Sequence, residues 1–165
     1  MARQPLSPNR SRVAGHRGSP VTFQDLLSYR VSRVANAMSR GAALRYRREF
    51  GVSLGEWRTI ALLGASSPLT QNHLARLAAL DKAQISRVVA GLVARGVLLR
   101  ELGPGRTAEL SLTTRGRALY ERLIAAANER NDAFLVCLTP RERDALESAL
   151  DKLGTLAMAL ERAER

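Results

Sequence analysis

Cysteine is almost absent from this chain: Cys137 is the only one in 165 residues, and histidine occurs only as His16 and His73. A lone thiol excludes an intrachain disulfide and a cysteine-based metal cluster, and it suits a reducing cytoplasm. The two isolated histidines have no ligand-like spacing, so no metal site is expected. Aromatic residues make up only 4% while alanine, leucine and valine abound, a balance that favours helices packed through small aliphatic side chains over a β-sandwich. No apolar run approaches the ~20 residues a membrane helix requires. A transmembrane span is excluded. The first 20 residues carry no acid and no apolar signal core. They read as a disordered basic arm, residues 1–21.

What the chain has in excess is arginine. The formal net charge is +11, and only Lys82 and Lys152 are lysines. Residues 1–50 hold ten arginines against Asp25 and Glu49, a net +8, leaving +3 for everything after them. Such a surface attracts phosphate or an anionic membrane face, but total charge alone does not name the partner. No nucleophile, base and orienting group stand in a recognisable pattern, nor does any nucleotide-binding motif. The expectation is therefore no catalytic residue, no enzyme and no cofactor.

Hydrophobic spacing gives one mostly α domain over 22–165. Thr22 and Asp25 form a capping-box pattern ahead of Phe23, Leu27, Val31, Val34 and Met38, predicting a first helix that ends near Phe50 and stops at Gly51. Ser53 and Glu56 open a second, and Thr70 a brief third with Leu74, Leu77 and Ala78 on its apolar face. Asp81 opens a fourth, where Ile85, Val88, Val89, Leu92 and Val93 make a one-sided stripe ending at Gly96. Val97–Leu102 and Thr107–Leu112 flank Gly103-Pro104-Gly105 and predict a two-stranded hairpin. Thr113 caps a long helix bearing Leu119, Leu123, Ala126, Phe134 and Cys137. Thr139, Pro140 and Glu142 start the last, with Leu146, Ala149, Leu150, Leu153, Leu156 and Leu160.

Two short helices joined by Ala79-Leu80-Asp81 and followed by a hairpin have the order of a winged helix-turn-helix, spanning 53–113. Stepping 100° per residue from a buried Ile85 turns Ala83, Gln84, Arg87, Ala90, Gly91 and Ala94 outward, flanked by Lys82 and Ser86. Small residues let a helix seat deep in a major groove. Arg87 has the fork for guanine and Gln84 the paired bonds for adenine, while the Ala83 methyl suits a thymine methyl. Ser86 serves base or phosphate and Lys82 phosphate; Thr70 and Gln71 would position the backbone, and Arg106 on the wing would reach a groove or phosphate. An exposed face of Gln, Ser and Arg is ordinary solvated surface in most proteins. Here the hairpin and flanking helices outweigh that plainer reading.

The ordered series Leu69-Thr70-Gln71, Leu74-Ala75, Leu80-Asp81-Lys82, Ile85-Ser86-Arg87, Leu92, Arg95-Gly96, Leu112-Thr113 and Gly116-Arg117-Ala118 resembles the MarR family of bacterial regulators over roughly Phe23 to Leu160. The resemblance implies a bacterial, cytoplasmic and nucleoid-associated transcriptional regulator, commonly a repressor. It further implies a homodimer held by helices in 22–50 and 114–165, set on a palindromic double-stranded DNA operator, and in many relatives released by a small anionic or phenolic effector. One departure is plain: the family's Asp-x-Arg-Asp-type wing run is replaced by Gly103-Pro104-Gly105-Arg106, about two residues shorter and without the aspartate. Arg106 therefore lacks its usual brace, a loss the basic arm would offset.

Other residues have humbler readings. Trp57, with Met38, Arg45 and Tyr46, is a candidate ligand pocket, although a lone large aromatic is the obvious core filler. Cys137, among Phe134, Leu135, Val136 and Leu138, reads as core or interface packing rather than an oxidant sensor. His73 reads as exposed. The competing function is a non-specific DNA- or RNA-binding architectural protein that uses the basic N-terminal region.

Overall fold

The computed structural model describes residues 22–103 and 107–164; the expected basic arm and Arg106 lie outside them. The chain divides into two units, Met1–Gly41 and Ala42–Arg165. In the first, Thr22 N–H donates to Asp25 Oδ2 at 2.9 Å and its hydroxyl does so at 2.7 Å, so the capping box forms. What it caps is a 3-10 turn, Phe23–Asp25, because Leu26 then takes an extended conformation. A capping box fixes only one turn, so it cannot guarantee that a helix continues. Helix α1, Leu27–Phe50, therefore starts later than its spacing predicts, and Leu27, Val31, Val34 and Met38 are all exposed.

The second unit holds the end of α1 and then α2 (Leu54–Ala65), β1 (Leu69–Thr70), α3 (Gln71–Ala78), α4 (Lys82–Ala94), β2 (Leu98–Leu102), β3 (Ala108–Leu112), α5 (Thr114–Leu135) and α6 (Pro140–Ala163). Each predicted cap is in place: Ser53, Thr70, Asp81, Thr113 and Thr139 all accept from the backbone N–H three residues on. The sheet has three strands, in the antiparallel order β1-β3-β2, where the sequence suggested two. A strand of two residues is too short to show a period of two. Only the free edge of β3, pairing Leu110 with Leu69 and Glu109 with Thr70, defines β1.

The core gathers one face of each central element. Ile60 and Leu63 of α2, Leu74 of α3, Ile85, Val89 and Leu92 of α4, Leu98 and Leu110 of the sheet and Leu123 of α5 are all buried. Tyr46, from the end of α1, joins them with its ring 5.3 Å from that of Trp57. Trp57 is thus a partly buried core filler. Thr59 is also fully buried, yet its hydroxyl finds no hydrogen-bond partner. An unsatisfied buried hydroxyl costs roughly 1–3 kcal/mol, so Thr59→Val is expected to raise the urea unfolding free energy by about 1 kcal/mol.

The last helix behaves differently. No residue of α6 is buried, and Leu146, Leu150, Leu153, Leu156 and Leu160 stay open to solvent in the single chain. Cys137 falls beyond the end of α5 and is exposed, its thiol donating to Phe134 O at 3.0 Å, so it is not core packing within one chain. No helix is long and apolar enough to cross a membrane among the described residues.

Candidate nucleic-acid interface

The turn between α3 and α4 is tight because Ala79 adopts the left-handed conformation, with φ 52° and ψ 48°, reversing the chain immediately after α3. Leu80 N–H returns to Ala75 O at 3.1 Å, and Asp81 then caps α4. Ile85, Val89 and Leu92 pin α4 inward. As the helical step requires, Lys82, Ala83, Gln84, Ser86, Arg87, Ala90 and Ala94 are exposed, and nothing lies within 4 Å of a methyl placed on Gly91. Val93 departs from the predicted stripe at 38% exposure, since eight residues of α-helix overshoot two turns by 80°. The outward surface of α4 is thus narrow and low apart from Lys82, Gln84 and Arg87.

Gln84 is less free than its exposure suggests. Its backbone N–H donates to Asp81 Oδ1 at 2.7 Å, and its side-chain Oε1 accepts from Asp81 N–H at 3.1 Å, completing a capping box. A paired contact to adenine needs both the amide oxygen and the amide nitrogen. With one lone pair of its oxygen engaged at the helix start, Gln84 keeps its NH₂ free of the cap, and a paired contact would have to share that oxygen with Asp81 N–H. The sequence carried this signal, since Asp81 and Gln84 stand at capping-box spacing.

Thr70 and Gln71 stand where α3 leaves β1. The Thr70 hydroxyl accepts from His73 N–H at 3.3 Å, which makes Thr70 the cap of α3; His73 itself is exposed. Gln71 accepts a hydrogen bond at Oε1 from Arg100 Nη2 on β2, at 2.6 Å. Arg100 escaped the sequence reading, although it stands two residues after the inward-facing Leu98. On the wing, Glu101 and Glu109 are directly paired across β2 and β3. Two like charges opposite one another weaken a hairpin and repel a nearby phosphate.

Side-chain contacts of Thr113 and Arg95 hold the segments on either side of the wing. The Thr113 hydroxyl donates to Gly96 O at 2.7 Å while accepting from Gly116 N–H at 3.0 Å, locking the start of α5 beside the start of β2. At the far end of α4, Arg95 reaches both Gly51 O and Glu56, tying it to the start of α2. The Arg95-Gly96 and Thr113 to Gly116 pieces of the motif series are therefore structural.

Among the pocket candidates of the second unit, Tyr46 and Trp57 meet in the core, while Arg45 is held by carboxylates. Arg45 is committed to Glu49 at 2.9 Å, Glu129 at 2.6 Å and Ala126 O at 3.3 Å, and its guanidinium is held more firmly protonated by those carboxylates. Glu49 in turn is held below the usual carboxylate range by hydrogen bonds from Arg45 and Arg48. Burial raises the Tyr46 phenol. Met38 belongs to the first unit and is exposed. An open groove of about 410 Å³ does touch Trp57, but it runs along Arg58, Ala61, Leu62 and Leu77, away from Arg45 and Tyr46.

This geometry has known counterparts. A sequence model of the MarR family matches residues 50–106. An HTH-type transcriptional repressor of Mycobacterium tuberculosis is 30% identical over 107 residues, covering 64% of this chain and 77% of that protein. Among solved structures, a MarR-family transcriptional regulator from Silicibacter pomeroyi is 27% identical with a TM-score of 0.70, over 81% of this chain and 90% of that one. The DNA complex of Staphylococcus aureus MepR shares the fold at 19% identity, with a TM-score of 0.72 over 82% and 99% of the two chains.

Proposed function

This chain belongs to the MarR family of transcriptional regulators, and from that premise we propose that it works as a homodimeric repressor reading a palindromic operator. The observation that carries DNA reading is the exposed, low face of α4, with Arg87 as its longest free-standing fork and Lys82 near the helix start. Arg87 bonds guanine O6 and N7 in the major groove, Lys82 neutralises phosphate, and Ser86 and Ala83 complete the contact. Gln84 contributes its NH₂ while its oxygen holds the cap. Thr70 and Gln71 fix the backbone at the start of α3. The known DNA complex of MepR supports this docking by fold.

The dimer reading rests on what the single chain leaves open. Five leucines along α6 and Leu27, Val31, Val34, Met38 and Leu44 along α1 are exposed, far more than a soluble surface normally tolerates. A second copy covers both, and two heads then meet successive major grooves about one helical turn apart. Selection from a random duplex library at physiological salt tests the whole reading. An inverted repeat bound roughly 10³-fold or more above random duplex is the expected result. Equal affinity for both would leave only the non-specific architectural function.

A further inference from the structure

We propose that Arg100 is a positioning residue for DNA binding, which orients the side-chain amide of Gln71 so that its NH₂ faces a backbone phosphate. The inference rests on the DNA-reading function above and adds a residue to it. The register sets the geometry: Leu69, Leu110 and Arg100 lie in one row across β1, β3 and β2. Side chains in one row project to one face of a sheet. Leu69 and Leu110 use that face to reach the core, whereas Arg100, at the outer end of the row, is exposed and reaches the first residue of α3.

The chemistry of the pair decides which way the amide points. A guanidinium has donors only, so the Gln71 atom 2.6 Å from Arg100 Nη2 must be the oxygen. Its NH₂ is thereby directed away from Arg100. An unrestrained glutamine at this place would present oxygen or nitrogen with equal ease, and oxygen repels phosphate. Arg100 removes that choice before DNA arrives, so no ordering cost falls on binding. The wing strand and α3 then grip the backbone as one unit. This also gives the wing a part in binding that does not depend on its tip.

A double-mutant cycle on the full-length dimer with the best selected duplex tests this, using Arg100→Met, Gln71→Met and the pair. Each single change is expected to weaken binding by about fivefold per half-site, as for one lost hydrogen bond. The double variant should lose no more than either single one. The slope of log K against log salt should be alike for Arg100→Met and Gln71→Met, because the phosphate partner is the neutral amide. Additive losses, or a slope lowered by about one per protomer in Arg100→Met alone, would make Arg100 a direct phosphate cation and overturn the inference. Urea unfolding of each variant, with Arg100→Ala as a second truncation, separates binding from folding. Wild-type protein that prefers no duplex would overturn the operator reading itself, and this inference with it.

Discussion

Arg87→Ala is expected to weaken operator binding by about 1–3 kcal/mol per half-site and to erase preference at a single base pair, while leaving the unfolding free energy unchanged. The size follows from geometry. Arg87 is exposed two residues after Ile85, which is 1% exposed and anchors α4, so removing the guanidinium costs the fold nothing. In a dimer the loss counts twice. Lys82→Ala makes the useful contrast: a phosphate contact carries no sequence information, so affinity should fall evenly across all duplexes and the salt slope should drop by about one. Equilibrium binding to the selected operator and to single-base variants separates the two outcomes. If Arg87→Ala weakened every duplex equally, Arg87 would be a backbone contact and α4 would read through other groups.

Gly116→Ala is expected to destabilise the fold by about 3 kcal/mol, through overpacking and the loss of hydrogen bonds to one carbonyl. A methyl at Gly116 would sit 2.1 Å from Val97 O and 3.2 Å from Val97 C, both backbone atoms that no rotamer change can move. The same carbonyl accepts from Thr113 N–H at 3.1 Å, and the Thr113 hydroxyl, which donates mainly to Gly96 O, shares its proton with it at 3.2 Å. Either α5 must withdraw or the chain must shift at Val97, immediately before β2. Both moves displace the wing, so DNA affinity should fall along with stability. Gly91→Ala is the matched control. Open space surrounds that position, and removing a helical glycine should raise stability by roughly 0.5–1 kcal/mol. Urea unfolding of the two variants side by side checks the opposite signs.

Local rules carried most of the element boundaries. Each cap lies within three residues of its partner, so Ser53-Glu56, Asp81-Gln84 and Thr139-Glu142 could be read directly, and each helix starts where they place it. The exception is Thr22-Asp25, where the box is real but the helix begins only at Leu27. The outward face of α4 was equally legible, because a period of 3.6 acts over the whole helix. What escaped was anything that joins distant segments. β1 exists only through pairing with β3, about 40 residues on. Arg100 meets Gln71 across 29 residues, and Gly116 looks like an ordinary helix glycine until Val97 is placed beside it.

Candidate roles divided along the same line. Arg45 and Tyr46 are pocket candidates by residue type, and in the structure Arg45 pairs with Glu49 and Glu129 while Tyr46 packs in the core. Gln84 suits a base reader by type, and its oxygen also serves the cap of α4. By itself the sequence determined the starts of α2 to α6 and the outward face of α4, since each depends on neighbours within a few turns. Only the tertiary structure decided the third strand, the Arg100–Gln71 bond and the close approach at Gly116. Those depend on atoms brought together by packing, and no spacing along the chain records them.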